Sequence, residues 1–124
     1  MYIRSLCIDN VKGFRSVSLD LERPDHSFAG WTVFVGGNSS GKSTLLKSMA
    51  LALMGPEAGS RLIGSPIGWI SEGQAKAFVV ATLTWDKNHD HFKSGGKLPG
   101  DTFEAGVRWV LEKPGDDVPQ FRAV

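Results

Sequence analysis

The stretch "GGNSSGKST", residues Gly36 to Thr44, constrains this chain more than any other part of its sequence. It fits the pattern G-x-x-x-x-G-K-[ST], with Gly36, Gly41, Lys42 and Ser43 in the defining positions. A chain of phosphates needs many backbone N–H groups aimed inward, and only a loop free of bulky Cβ atoms wraps that closely. The stretch therefore predicts a phosphate-binding loop that leads into a helix.

The chemistry of the pattern assigns a role to each part of the loop. Lys42 is expected to reach the β- and γ-phosphate oxygens and is the predicted catalytic residue. Ser43 is expected to offer its hydroxyl to Mg²⁺, and Thr44 to bond the α-phosphate. The predicted ligands are therefore ATP and Mg²⁺. The full set of predicted nucleotide-binding residues is Gly36, Gly37, Asn38, Ser39, Ser40, Gly41, Lys42, Ser43 and Thr44.

The residues on either side of the loop predict a strand before it and a helix after it. "WTVFV" (residues 31–35) is continuously apolar, which is typical of a strand buried on both faces in a parallel sheet. Gly55 and Pro56 are expected to end the helix. Five apolar residues after the loop recur at helical spacing and predict one buried face: Leu45, Leu46, Met49, Ala50 and Leu53.

Alternation of polar and apolar residues predicts antiparallel strands elsewhere in the chain. Residues 2–10 and the run "FRSVSLDLE" are joined by a short turn and predict a hairpin. Residues 75–86 and 102–113 predict a second hairpin, with the longer connection "KNHDHFKSGGKLPGD". Residues 57–74 are predicted to be mostly loop, and no element is predicted for "PGDDVPQFRAV". The predicted fold class is mixed α/β.

Bulk properties bear on the compartment and on the possible partners of the protein. The formal net charge of +1 gives no electrostatic reason to expect nucleic acid or an anionic membrane as a partner. Cys7 is the single cysteine, which rules out an internal disulfide and favours a reducing compartment. No segment approaches the roughly 18 apolar residues of a membrane span. These features predict a cytoplasmic protein without a membrane partner.

The order of these features resembles a known family. "IRSLCIDNVKGFRSVSLDL" followed by "WTVFVGGNSSGKSTLLKSMALAL" looks like the N-terminal lobe of the SMC/RecF branch of the ABC ATPases, which includes OLD-family and other phage-defence ATPases. The resemblance covers residues 1–62 well and residues 75–113 only as a pattern of antiparallel strands. The matching residues are Ile8, Asn10, Lys12, Gly13, Phe14, Leu19, Gly36, Asn38, Ser40, Gly41, Lys42, Ser43, Thr44 and Leu45.

The resemblance implies a fold and a domain assignment. Residues 1–124 would form the N-terminal lobe of an ABC-type head of the P-loop NTPase class, with antiparallel hairpins beside the strand, loop and helix of the Walker A motif. Such ATPases also carry an apolar strand ending in Asp-Glu and a serine-glycine-rich signature. Neither is present in these 124 residues. The chain is therefore expected to be the front portion of a longer protein, with no turnover by itself.

For the complete protein, the resemblance implies ATP hydrolysis that drives two heads to dimerise and separate, in DNA repair or anti-phage defence. The implied partners are a second ATPase head, DNA and an associated nuclease. Two other functions stay open. A small-molecule kinase is disfavoured because a long hairpin precedes the loop, and the third hypothesis is a nucleotide-binding interaction module that does not hydrolyse ATP.

Several isolated residues allow both a functional and a structural interpretation. Arg61 stands where the resembling family often has a functional arginine, and is otherwise a solvated loop residue. Lys12 and Arg15 would lie near the adenine or ribose in that fold, or simply in an exposed turn. Asp86, His89 and His91 contain metal-ligand types but lack a fourth ligand.

The four tryptophans are distributed over predicted strands and one predicted loop. Trp31, Trp85 and Trp109 fall at strand positions, where packing in the core is expected. Trp69 falls in a loop and is expected to pack on a partner domain.

Overall fold

The computed structural model describes residues 1–28, 30–91, 100–113 and 115–124, and within them the chain forms an antiparallel sheet covered by a helix. The sheet has five strands in the order β2-β1-β3-β4-β5, and each neighbouring pair is antiparallel. The elements are β1 (Tyr2–Val11), β2 (Phe14–Asp20), α1 (Lys42–Ile63), β3 (Lys76–Thr84), β4 (Thr102–Val110) and β5 (Gln120–Ala123).

Both predicted hairpins are confirmed. β1 pairs with β2 across the Lys12–Gly13 turn, and β3 pairs with β4. Residues 92–99 of the predicted β3–β4 connection lie outside the described residues. β5 was not predicted because its four residues, QFRA, are too few to show a period. The strand forms because β4 offers it an edge on which to pair.

The register of the strands places one apolar face of the sheet toward α1. Leu6 lies opposite Ala81 and Ile8 opposite Val79, so alternate residues of β1 and β3 point into the core. Val107 and Trp109 of β4 extend this buried layer. The core therefore lies between the sheet and the helix, and burial of this apolar area is the main stabilising contribution.

Helix α1 faces the sheet only in part with the residues that were predicted. Its buried residues are Ser48, Leu51, Ala52 and Gly59, whereas Leu46 and Leu53 are exposed. Leu45 and Met49 of the predicted face pack against the edge of the core. The prediction was wrong for Leu46 and Leu53, because α1 is apolar on two sides and spacing alone does not show which side meets the sheet.

The predicted end of the first helical segment at Gly55 and Pro56 agrees with a break in α1, but the prediction that residues 57–74 are mostly loop was wrong for residues 57–63, which are helical. Gly55 has φ 74° and ψ 176°, which kinks the helix, and a further helical segment continues to Ile63. Glycine adopts this positive φ without steric cost, and Pro56 is tolerated because the first turn of a helical segment needs no N–H from it. No helix in the described ranges combines the length and the apolar character needed to cross a membrane.

The predicted strand at residues 31–35 is not formed, and the prediction that it is buried on both faces was wrong for this structure. Trp31, Val33 and Val35 are 89%, 75% and 91% exposed. A strand is stabilised by hydrogen bonds to a neighbouring strand, and no described residue supplies one here. The parallel part of the predicted mixed α/β fold is therefore absent from the described residues, and what is formed is an antiparallel sheet with one helix.

Aromatic side chains close the far end of the core. Trp69 stacks on Trp109 with ring centroids 5.2 Å apart, and Trp109 stacks on Phe121 at 5.0 Å. Trp69 is therefore packed within the chain itself, and the expectation that it packs on a partner domain was wrong. Trp31 was expected in the core and is instead almost fully exposed.

Candidate nucleotide-binding loop

The loop that follows residue 35 ends at the N-terminus of α1. Gly41 caps the helix in the left-handed conformation, with φ 87°, and no side chain caps the helix in its place. The first backbone bond of the helix runs from the Leu45 N–H to the Gly41 oxygen at 2.8 Å. No described residue accepts a hydrogen bond from the N–H groups of residues 42–44. These donors and the positive end of the helix dipole therefore present an anion-binding point.

Lys42 folds back into the loop that precedes it. Its Nζ donates hydrogen bonds to the backbone oxygens of Gly36 and Gly37, both at 2.5 Å, and lies 3.3 Å from Ser40 Oγ. The ammonium group thus joins the first residues of the motif to the first residue of the helix. This places a positive charge at the centre of the loop.

A cavity of about 320 Å³ opens at this point. The structure therefore brings the predicted site residues together. Gly36 and Gly37 are held there by their hydrogen bonds to Lys42, and the other residues form the wall of the cavity. Their roles toward a nucleotide stay predictions. The residues that line the cavity are Asn38, Ser39, Ser40, Gly41, Lys42, Ser43 and Thr44.

Phe14 contributes to this site in a way that the sequence did not indicate. A Cβ atom added to Gly41 would lie 2.6 Å from Phe14 Cζ, so the ring packs directly on the loop backbone. Phe14 is one of the residues that match the family pattern. It lies far from Gly41 along the chain, so the sequence pattern does not indicate that the two residues are in contact. The first residue of β2 therefore supports the last glycine of the loop.

Lys12 lies in the turn between β1 and β2 and contacts Trp69. Its Nζ lies 4.7 Å from the centroid of the Trp69 ring, a cation–π contact. The Lys12 N–H donates to the Trp69 oxygen at 2.9 Å, and Ser71 Oγ donates to the Lys12 oxygen at 2.5 Å. Lys12 therefore fastens the β1–β2 turn to the segment after α1. Arg15 is exposed on β2.

The remaining candidate residues do not join the loop. Arg61 lies in the last turn of α1, so its assignment to a loop was wrong, although it is exposed as expected. His89 Nδ1 lies 2.9 Å from Asp86 Oδ2. The backbone N–H of Asn88 and the His89 ring hold the pKa of Asp86 below its usual value. Within the described ranges, no three His, Cys, Asp or Glu side chains are grouped to hold a metal ion.

A glycine-rich loop that holds its own lysine at the start of a helix defines the phosphate-binding class of nucleotide-binding proteins. Comparison with known families agrees with this class. Residues 1–89 match the model of the AAA ATPase domain. The chain therefore belongs to the AAA ATPase domain family. The activity associated with this family is nucleotide binding of the ATPase type.

One curated relative is the Septu protein PtuA of Bacillus mycoides (strain KBAB4). The two sequences are 33% identical over 84 residues, which is 67% of this chain and 12% of PtuA. The chain thus spans about an eighth of the length of the relative that it matches.

Proposed function

We propose that the chain is the phosphate-binding part of an ATPase and that it holds ATP and Mg²⁺ in the loop of residues 36–44. The position of Lys42 carries the proposal, since its ammonium group lies within hydrogen-bonding distance of Gly36, Gly37 and Ser40. In this position it faces the cavity into which the free N–H groups of the helix start open. The membership in the AAA ATPase domain family supports the same conclusion.

The residues present fit a nucleotide with its metal ion. Lys42 would exchange its bonds to two backbone oxygens for bonds to phosphate oxygens, which carry a full negative charge and attract it more strongly. Ser43 is exposed at the cavity wall and would present its hydroxyl to Mg²⁺. Bound Mg²⁺ would neutralise charge on the phosphates. Positioning and charge neutralisation are the contributions that phosphoryl transfer requires from a protein.

We further propose that this ATPase belongs to the SMC/RecF/OLD-like branch and acts in anti-phage defence. The similarity to a Septu protein supports defence over DNA repair. In this proposal, a second head completes the site on dimerisation, a nuclease is associated, and DNA is a partner of the complete protein. The residues that activate water lie outside these 124 residues.

A small-molecule kinase and a non-hydrolysing interaction module are the alternatives. The family match favours the ATPase over the kinase, because it includes the β1–β2 hairpin as well as the loop. The products distinguish the three functions: an ATPase releases inorganic phosphate, a kinase transfers the phosphoryl group to an acceptor, and an interaction module does neither.

The first experiment measures binding of Mg-ATP to the chain by titration with a fluorescent ATP analogue. Lys42→Ala removes charge-assisted bonds, and we expect it to weaken binding roughly 10- to 100-fold. Lys47→Ala is the matched control, since Lys47 is an exposed lysine on the same helix and outside the cavity. Equal affinities of the two variants, or no saturable binding by the parent chain, would contradict the proposal.

The second experiment tests hydrolysis in a chimera, in which this chain replaces the matching segment of PtuA. We expect phosphate release by the chimera to fall to background with Lys42→Ala and to persist with Lys47→Ala. Phosphate release that is unchanged by Lys42→Ala would overturn the assignment of Lys42.

A further inference from the structure

The first residue of β2 fills the space beside the last glycine of the phosphate-binding loop. A Cβ atom added to Gly41 would lie 2.6 Å from Cζ of Phe14, and 3.2 Å and 3.3 Å from its two Cε atoms. The tip of the ring thus faces the backbone of Gly41, and the side chain of Phe14 also packs against the core. The ring therefore takes the place that a side chain at position 41 would need.

Gly41 starts helix α1 with its backbone alone. It caps the helix at φ 87° and without a side-chain hydrogen bond. The N–H groups of residues 42–44 follow it directly and are the groups proposed to bind phosphate. A helix start that lacks a side-chain cap is less stable than a capped one, so the direction of these N–H groups depends on what holds Gly41 from outside the helix. The three atoms nearest to the added Cβ atom all belong to Phe14.

The turn that leads into β2 is held in a strained conformation. Asn10 and Lys12 have positive φ angles of 53° and 51°, which are sterically unfavourable for residues with a side chain. The segment after α1 holds both residues, because the Ser71 N–H donates to the Asn10 oxygen at 2.8 Å and the Lys12 N–H donates to the Trp69 oxygen at 2.9 Å. Strain that the surroundings maintain in this way is typical of functional sites. Here it fixes the direction in which β2 begins.

We propose that Phe14 is a positioning residue of the phosphate-binding loop. Its ring holds Gly41 in place, and through Gly41 it sets the direction in which the N–H groups of residues 42–44 point toward a bound phosphate. Phe14 does not line the cavity, so it acts on the nucleotide through the loop and not by contact. This inference rests on the proposed nucleotide binding, and it adds that the affinity depends on a residue of the antiparallel sheet.

Titration with the fluorescent ATP analogue and Mg²⁺ tests the proposal. Phe14→Leu keeps an apolar side chain in the core but is too short to reach Gly41, and we expect it to weaken binding roughly fivefold, the effect of about one misdirected hydrogen bond. Phe14→Met restores the length and should bind within about twofold of the parent chain. Leu19→Ala is the matched control for lost core packing and should leave the affinity unchanged, since Leu19 packs on the core from the same strand, about 17 Å further along β2.

The outcomes separate this inference from the proposed function. Weaker binding by Lys42→Ala together with unchanged binding by Phe14→Leu would overturn the role of Phe14 and leave the nucleotide site intact. Equal weakening by Phe14→Leu and Leu19→Ala would show an effect of packing alone and would also overturn that role. If the parent chain shows no saturable binding, both proposals are overturned.

Hydrogen exchange without nucleotide gives a second, independent measurement. The Leu45 N–H donates to the Gly41 oxygen at 2.8 Å, so the exchange rate of this amide reports on the position of Gly41. We expect the Leu45 amide to exchange roughly tenfold faster in Phe14→Leu than in the parent chain, while the amides of β3 keep their rates. An unchanged rate at Leu45, or faster exchange throughout the sheet, would contradict the positioning role of Phe14.

Discussion

The two sides of helix α1 are similarly apolar in sequence and very different in the structure. Leu51 is 0% exposed, because it faces the sheet, whereas Leu53 is 47% exposed on the other side of the helix. The same contrast separates Trp109, which is fully buried between two aromatic rings, from Trp31, which is almost fully exposed. Apolar character therefore marks residues that require a partner, and the presence of the partner decides which of them are buried.

The largest expected effect is on the tryptophan pair. Trp109→Ala should lower the free energy of unfolding by about 3–5 kcal/mol, because it leaves a cavity between Trp69 and Phe121. The buried Nε1 of Trp109 has no hydrogen-bond partner among the described residues. Because the substitution breaks no hydrogen bond there, we expect a loss of stability toward the lower end of this range. Trp31→Ala should change the free energy of unfolding by less than about 0.5 kcal/mol, because Trp31 is exposed. Urea denaturation measures both, and equal losses would remove the contrast.

The two leucines of α1 sharpen the comparison within a single helix. Leu51→Ala should cost about 2–5 kcal/mol of stability, because Leu51 is fully buried against the sheet. Leu53→Ala makes the same change in helix propensity as Leu51→Ala. It should change the free energy of unfolding by less than about 0.5 kcal/mol. Thermal denaturation of both variants checks the difference. A loss at Leu53 as large as that at Leu51 would contradict the exposure of Leu53 in the structure.

The smallest expected stability effect tests the contact between the hairpin and the loop. Gly41→Ala should cost about 1–2 kcal/mol, since Gly41 has a left-handed backbone and a Cβ atom there meets the Phe14 ring at 2.6 Å. Gly13→Ala is the control, because nothing lies within 4 Å of its added Cβ atom and its φ is not in the left-handed range. Equal stability of the two variants in urea would contradict the packing of Phe14 on the loop.

Prediction from sequence succeeded where neighbours along the chain decide the structure. The loop of residues 36–44 and the start of the helix at Lys42 follow from local residue types, and the two hairpins follow from local alternation. It failed where distant residues decide: the buried side of α1, the short strand β5, and the contact of Phe14 with Gly41. None of these has a signature in sequence spacing.

The sequence by itself determined that this chain has a lysine-bearing glycine loop at the start of a helix, because steric freedom and helix geometry act over a few residues. Only the three-dimensional structure decided that Lys42 turns back onto Gly36 and Gly37, and that the apolar side chains of Trp31, Val33 and Val35 lie exposed. Pairing and burial depend on surfaces that meet across long distances in the chain. The region around "GGNSSGKST" is thus locally specified, whereas burial of the apolar residues beside it depends on contacts that residue spacing does not show.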